Sequence, residues 1–253
     1  MKFACLISGS DKSLAAQKTL AAKYAFVAPE EADVILTLGG DGFLLHTVHE
    51  VRGMKKPIYG MNCGTVGFLL NEYDPEDVEE RIRNAIEIVL PPLRIDATTD
   101  EGEKCSLLAF NEMSIVRYSN QSLNLKVKID GREQLSKYVG DGLLLATPAG
   151  STAYNLAVRG PILPLTCNVL ALTPVSPFRP RRWHGAVVPN TTELDIEVLD
   201  SSKRPAGASG DFYEIRNAVH IRAHLEPESA ATVLFDKHQT LDDRIASEQF
   251  YDG

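Results

Sequence analysis

The chain has 253 residues, 44% of them hydrophobic and 24% charged, with a formal net charge of -8. That length supports a real core and two domains, and the composition is ordinary for a globular protein. The acidic balance argues against a nucleic-acid or anionic-membrane binder, because the field of the whole protein repels both. The cysteines, Cys5, Cys63, Cys105 and Cys167, are far apart and form no C-x-x-C pair. No signal peptide is read and no apolar run reaches about 18 residues. The expectation is a cytoplasmic chain with free thiols and no membrane partner.

In chain order, Lys2 to Ile7 reads as a strand, and Ser10 or Asp11 caps a helix running to Lys23 with Leu14, Leu20 and Tyr24 on one side. Asp33 to Leu38 is a second, buried strand that stops at Gly39-Gly40-Asp41-Gly42. A helix over Phe43 to Arg52 follows, ending near Gly53, and then a strand over Pro57 to Met61. That strand runs into a second glycine-interrupted loop, Asn62 to Leu69. Asp74-Pro75-Glu76-Asp77 has the chemistry of a helix start and predicts a helix to about Val89, stopped by Pro91-Pro92. Strands alternating with helices imply a parallel sheet, with ligands beyond the carboxyl ends of its strands.

After Pro92 the pattern changes to many short strands: Leu93 to Asp96, Ser106 to Arg117, Leu123 to Ile129, Gln134 to Val139, Leu143 to Ala146, Val169 to Thr173, Ala186 to Val188, Leu194 to Val198 and Val219 to Ala223. Asp130-Gly131 is a two-residue hairpin turn. This is the grammar of an antiparallel β domain. Leu241 to Tyr251 reads as a terminal helix, which needs a surface to pack on and is expected to return to the first domain. The fold expected is therefore an N-terminal α/β domain over 1–91, completed by about 236–253, and a β-rich, sandwich-like domain over 92–235.

Four stretches carry possible chemistry. At Gly40-Asp41-Gly42 the glycines let a ligand approach the backbone, and the helix start suits phosphate. Asp41 itself repels phosphate, so it points to hydroxyl activation or to Mg²⁺ beside phosphates, or else to a plain helix cap. Asn111-Glu112 is a polar pair in an apolar run. Gly140 to Asn155 places Asp141 between glycines and follows it with small residues, leaving room for a planar ring; Thr152, Tyr154 and Asn155 can hydrogen-bond a base or ribose. Arg179, Arg181 and Arg182 lie within four positions of one another in an acidic chain. They suit bidentate grip of phosphate, or a solvated loop or subunit contact.

These stretches together, from roughly Asp33 to Pro189, resemble the NAD kinase family. The motifs are Leu38-Gly39-Gly40-Asp41-Gly42, the loop from Gly60 to Leu69, Asn111-Glu112, the Gly140 to Tyr154 block, and Leu172 to Pro177. The Gly-Gly-Asp-Gly turn alone is shared with diacylglycerol and sphingosine kinases and with phosphofructokinases; the Thr147 to Tyr154 block and the motif order are far more specific. Ser176-Pro-Phe-Arg-Pro-Arg-Arg-Trp183 looks like the alphaproteobacterial form.

The resemblance implies an ATP- and Mg²⁺-dependent kinase that phosphorylates the 2′-hydroxyl of the adenosine ribose of NAD, with polyphosphate as an alternative donor in some members, and a homodimer or homotetramer. It makes Asp41 the catalytic carboxylate and has Gly40 and Gly42 clear the donor phosphates. Phe68, Asn111, Glu112, Asp141, Thr152, Ala153 and Tyr154 become NAD-pocket residues. Against the family pattern, Val139 and Cys63 replace basic residues, Ala149 a frequent Ser or Thr, and Phe178 a frequent His. Gly210-Asp211 stands reversed where many members have Asp-Gly. A non-catalytic dinucleotide sensor and a lipid or sugar kinase of the same superfamily are the alternatives.

Overall fold

A computed structural model describes residues 1–64 and 67–237. The terminal helix expected over 241–251 lies outside those residues. The chain forms two compact units, one from Met1 to Leu90 together with the segment from Ser229, the other from Pro91 to Glu228.

In the first unit the elements run β1 (Phe3–Ile7), α1 (Asp11–Ala21), β2 (Val34–Gly39), α2 (Asp41–Val51), β3 (Ile58–Asn62), β4 (Asn71–Glu72), α3 (Val78–Arg83) and β5 (Ile86–Leu90). Strands β1, β2 and β3 pair in parallel, and β4 adds to β3 in the same sense. Ser10 caps α1 by accepting the Ser13 N–H. The buried face of α1 is Ser13, Ala16 and Leu20, whereas Leu14, expected inside, is 40% exposed. Position 14 is about half a turn from position 16, so Leu14 points away from the face that Ser13, Ala16 and Leu20 bury.

The helix expected from Asp74 to Val89 is not formed at that length. Only Val78–Arg83 is helical, and Asp74 accepts the Glu76 N–H in a local turn instead of capping it. Ile86-Glu87-Ile88-Val89-Leu90 is rich in β-branched residues and is a strand, β5. It pairs antiparallel with β18 (Ala231–Phe235), so the first sheet is mixed, in the order β1-β2-β3-β18-β5. Ala231–Phe235, which the sequence reading leaves inside the second domain, belongs to this first sheet. Asn71 fixes it there: its side chain donates to the Gly60 and Leu234 carbonyls and accepts the Asp236 N–H. Asp236 in turn accepts from Tyr59 and Arg81.

The second unit continues with β6 (Leu93–Thr99), β7 (Lys104–Ala109), β8 (Glu112–Arg117), β9 (Leu123–Ile129), β10 (Arg132–Gly140), β11 (Gly142–Ala146), α4 (Tyr154–Ala157), β12 (Val169–Val175), β13 (Ala186–Pro189), β14 (Leu194–Val198), β15 (Ala206–Gly210), β16 (Tyr213–Ile215) and β17 (Ala218–Leu225). They make two antiparallel sheets, β10-β9-β14-β17-β6-β7 and β13-β12-β11-β8-β15-β16. Asp130 and Gly131 both take positive φ, as the two-residue hairpin between β9 and β10 requires. Inward residues of both sheets share one core: Ile95, Leu125 and Ile196 from the first, Met113, Leu143 and Leu172 from the second. In β6 burial alternates residue by residue, whereas β11 is buried throughout. Leu163 packs against Ala146 and Ala171, covering part of the second face of β11 and β12. Such a strand reads as a continuous apolar run.

The single strand expected over Ser106 to Arg117 is two strands in different sheets, broken at Phe110-Asn111. Strands β15 and β16 were not expected; Ala206-Gly-Ala-Ser-Gly210 carries too little β-branched character to signal one.

Candidate functional site

In the first unit the chemistry gathers beyond the carboxyl ends of β2 and β3. Backbone chemistry joins the two glycine loops there: Cys63 N–H donates to the Gly39 carbonyl at 2.8 Å. A Cβ at Gly39 would lie 2.8 Å from the Phe43 ring, so packing alone demands that glycine. At Gly40 and Gly42 a Cβ would meet nothing within 4 Å among the described residues. Packing among the described residues therefore gives no reason for these two glycines, and close approach of a ligand to the backbone supplies one.

Asp41 is the first residue of α2, and Gly40, not Asp41, occupies the N-cap position of that helix. The helix-cap reading of Asp41 is thus set aside. One carboxylate oxygen accepts the Phe68 N–H at 2.7 Å and the other the Leu69 N–H at 3.0 Å. The second glycine loop thereby orients the carboxylate of the first, and Phe68 lies half-buried directly beside it. Asn62 Oδ1 accepts the Gly64 N–H at 2.7 Å and turns the chain back at the start of that loop.

In the second unit the break between β7 and β8 is the organising feature. Asp211, between β15 and β16 at φ 50°, accepts the Phe110 N–H at 2.7 Å and the Asn111 N–H at 3.0 Å. Thr147 donates its hydroxyl to the Phe110 and Asn111 carbonyls. Gly150 lies flat on Asn111, where a Cβ would come within 2.1 Å of the Asn111 oxygen. This cradle aims two side-chain oxygens inward: Asn111 Oδ1 and Glu112 Oε2 are buried and have no hydrogen-bond partner among the described residues. Burial, and then the nearby charge of Asp211, push the Glu112 carboxyl up to about 7.

Asp141 sits between β10 and β11. Its carboxylate accepts Arg117 Nε at 2.6 Å, and its carbonyl accepts the Arg117 N–H at 3.0 Å. Arg117 ends β8, one residue past Val116, which pairs with Gly142 in the antiparallel register. Thr152, Ala153 and Tyr154 form the step from a short 3₁₀ turn into α4, with Tyr154 exposed. Asn155, expected to face a base or ribose, is fully buried: it donates to the Ser151 and Pro161 carbonyls and accepts the Thr173 hydroxyl at 2.6 Å. It holds the block together: both amide hydrogens are used and the side chain is fully buried.

Arg179, Arg181 and Arg182 lie on an exposed loop. Arg179 pairs through its backbone with Val139, the position that lacks a basic side chain, and its guanidinium is 5.9 Å from the Phe178 ring centre. Trp183 anchors the loop edge-on against buried Tyr138.

Two family models match: the ATP-NAD kinase N-terminal domain over residues 9–88 and the ATP-NAD kinase C-terminal domain over residues 110–216. An NAD kinase of Rhizobium meliloti is 48% identical over 98% of this chain and 96% of its own. The chain belongs to the NAD kinase family. An NAD kinase of Caulobacter vibrioides is 46% identical over 93% of this chain and 90% of its own. Among solved structures, an NAD kinase from Archaeoglobus fulgidus in complex with ATP shares the fold with a TM-score of 0.76 at 22% identity, covering 98% of both chains. Yeast NADH kinase complexed with NADH gives 0.73 at 24% identity, covering 90% of this chain and 70% of that one.

Sequence reasoning about the NAD kinase motifs missed Arg117 and the role of Asp211. Asp211 was visible only as a reversed Asp-Gly. Arg117 had no linear signal, because the β8–β11 register alone brings it to Asp141.

Proposed function

We propose that the protein is an NAD kinase, transferring the terminal phosphoryl group of ATP to the 2′-hydroxyl of the adenosine ribose of NAD and giving NADP. The hydroxyl oxygen forms the new bond to phosphorus, the bond to the bridging oxygen of ADP breaks, and the hydroxyl proton leaves to a base. Asp41 is that base or the group that orients the proton. The observation that carries the reading is this carboxylate, set at a turn whose flanking glycines are open to a ligand and oriented by two backbone N–H groups. Phosphoryl transfer asks the protein mainly for positioning and charge neutralisation, which one placed carboxylate and cationic partners can serve.

Phe68, Asn111, Glu112, Asp141, Thr152, Ala153 and Tyr154 are assigned to NAD. A divalent metal fits the donor set: Mg²⁺ usually takes one or two carboxylates and fills its shell with phosphate oxygens and water. Glu112, with an unpartnered buried oxygen and Asp211 nearby, is such a donor. When bound, the ion neutralises charge on the phosphates. Among the described residues no three His, Cys, Asp or Glu side chains converge into a complete cage. Family resemblance supports a homodimer or homotetramer in the cytoplasm; among the described residues no helix is long and apolar enough to cross a membrane.

The test is NADP formation from NAD, Mg²⁺ and ATP, with polyphosphate in a parallel reaction. NADP is expected with ATP. NAD binding without product from either donor overturns the assignment in favour of a dinucleotide sensor.

A further inference from the structure

Asn71 stands two residues beyond Leu69, in the short strand β4, and is fully buried. Burying a primary amide is costly unless its polar atoms are paired. Here both amide hydrogens are used: Nδ2 donates to the Gly60 carbonyl at 3.1 Å and to the Leu234 carbonyl at 2.9 Å. Oδ1 accepts the Asp236 N–H at 2.9 Å. One side chain thus joins β3, β4 and the end of β18. A leucine could fill the space but would give up all three bonds.

Its place in the chain gives this network a consequence for chemistry. The N–H groups of Phe68 and Leu69 hold the two oxygens of Asp41, so that carboxylate is only as well oriented as this piece of backbone. Two residues span at most about 7 Å, so a shift at Asn71 reaches Leu69 with little slack. Upstream, the loop is tied by the Cys63 N–H to the Gly39 carbonyl and by the Gly64 N–H to Asn62 Oδ1. Downstream, it is tied by Leu70, which occupies the space that a Cβ at Gly60 would need, and then by Asn71. Behind Asn71, Arg81 donates to the Glu72 and Asp74 carbonyls and to the Asp236 carboxylate. The segment that grips Asp41 is therefore clamped on both sides, and Asn71 is the buried link of the downstream clamp.

We propose that Asn71 is a positioning residue for phosphoryl transfer: through the Phe68–Leu69 backbone it sets the orientation of the Asp41 carboxylate, without touching substrate. The proposal rests on the phosphotransfer reading above and extends its machinery into the core of the first sheet.

The experiment is a double-mutant cycle on NADP formation with wild type, Asn71→Ala, Asp41→Asn and the double variant. Amide exchange at Phe68 and Leu69 is followed by NMR in wild type and Asn71→Ala. Asn71→Ala is expected to lower kcat about ten- to a hundredfold, the scale set by a small misplacement of a reacting group. The KM values for NAD and ATP stay within about twofold, because a lost orientation is felt in the transition state. In the Asp41→Asn background the same change should lower the residual rate less than about twofold, since the base that Asn71 orients is gone. The Phe68 and Leu69 N–H groups should exchange faster in Asn71→Ala, with the β2 amides unchanged. If Asn71→Ala does not fold, Arg81→Met loosens the same clamp from a partly buried position and should lower kcat several-fold with the same background dependence. Unchanged kcat in the folded variant overturns the proposal. So does an equal fold-loss with and without Asp41→Asn, the signature of a residue that serves only the sheet. A wild type that forms no NADP counts against the phosphotransfer reading instead. The exchange measurement then still decides the clamp: faster exchange at Phe68 and Leu69 upholds it, and unchanged exchange overturns it.

Discussion

Arg117 Nε donates to Asp141 Oδ1 at 2.6 Å, and the same two residues are joined through their backbones. Asp141 therefore has a cationic neighbour although Val139, two residues before it, is apolar. Arg117 also donates to the Ser119 carbonyl, so its guanidinium is oriented from both sides. Both side chains are more than a third exposed or nearly so, at 34% and 40%, and such a pair contributes little to stability.

Its effect should fall on substrate. Arg117→Ala is expected to raise the NAD KM about tenfold, by freeing the Asp141 carboxylate, while shifting unfolding by less than about 1 kcal/mol. Steady-state kinetics and urea denaturation read the two effects separately. A large stability loss with unchanged KM would show that the pair serves the sheet alone.

Asp41→Asn keeps the shape of the side chain and one acceptor oxygen for the loop N–H groups, but removes the base. Activity should fall by about 10²- to 10⁴-fold, the usual worth of a placed general base. NAD binding should remain within a few-fold of wild type, and the thermal midpoint nearly unchanged. Full activity in a folded variant removes Asp41 from the chemistry.

The parts of the fold that could be read from the sequence are those where one local rule acts alone. The run Val34–Gly39 ending in glycines, the Ser10 cap and the Asp130-Gly131 turn are each decided within a few residues, and each forms as expected. Ile86–Leu90 was misread because an acidic, Pro-led helix start precedes it, and only its partner β18, some 140 residues on, selects a strand. The site follows the same division. Asp41 and Asp141 announce themselves between glycines, whereas Asp211 and Arg117 reach Asn111 and Asp141 only through sheet register. Asn155 shows the opposite error: its polar side chain sits in a ligand-like motif, yet it is fully buried and makes three internal hydrogen bonds.

Gly150→Ala tests the cradle under Asn111. The added Cβ would come within 2.1–2.6 Å of the Asn111 oxygen, carbonyl carbon and Cα, all backbone atoms that cannot rotate away. A loss of roughly 1–3 kcal/mol is expected from overpacking, with NAD affinity falling in step as Asn111 and Glu112 are displaced. Gly40→Ala is the contrast, since nothing among the described residues meets its Cβ. It should fold as wild type and lose activity. Comparable stability loss in both variants would contradict the distinction drawn between the two glycines.

Glu112 gives a pH signature whose sign is fixed. Its carboxyl rises on folding from an ordinary 4.5 to about 7, first through burial and then through the charge of Asp211. Between those two values the unfolded chain has lost the proton and the folded chain keeps it. The folded state binds more protons there, so stability falls as pH increases across that window and levels off above it. Glu112→Gln cannot titrate and should lack this slope; the gap between the two proteins changes by about 3 kcal/mol at most. Urea denaturation at pH 5 and pH 8 measures it, and parallel pH dependence in both proteins would refute the assignment. A divalent cation that needs the ionised carboxylate pulls its pKa back down. With Mg²⁺ present the wild-type slope should therefore move to lower pH, while Glu112→Gln remains flat.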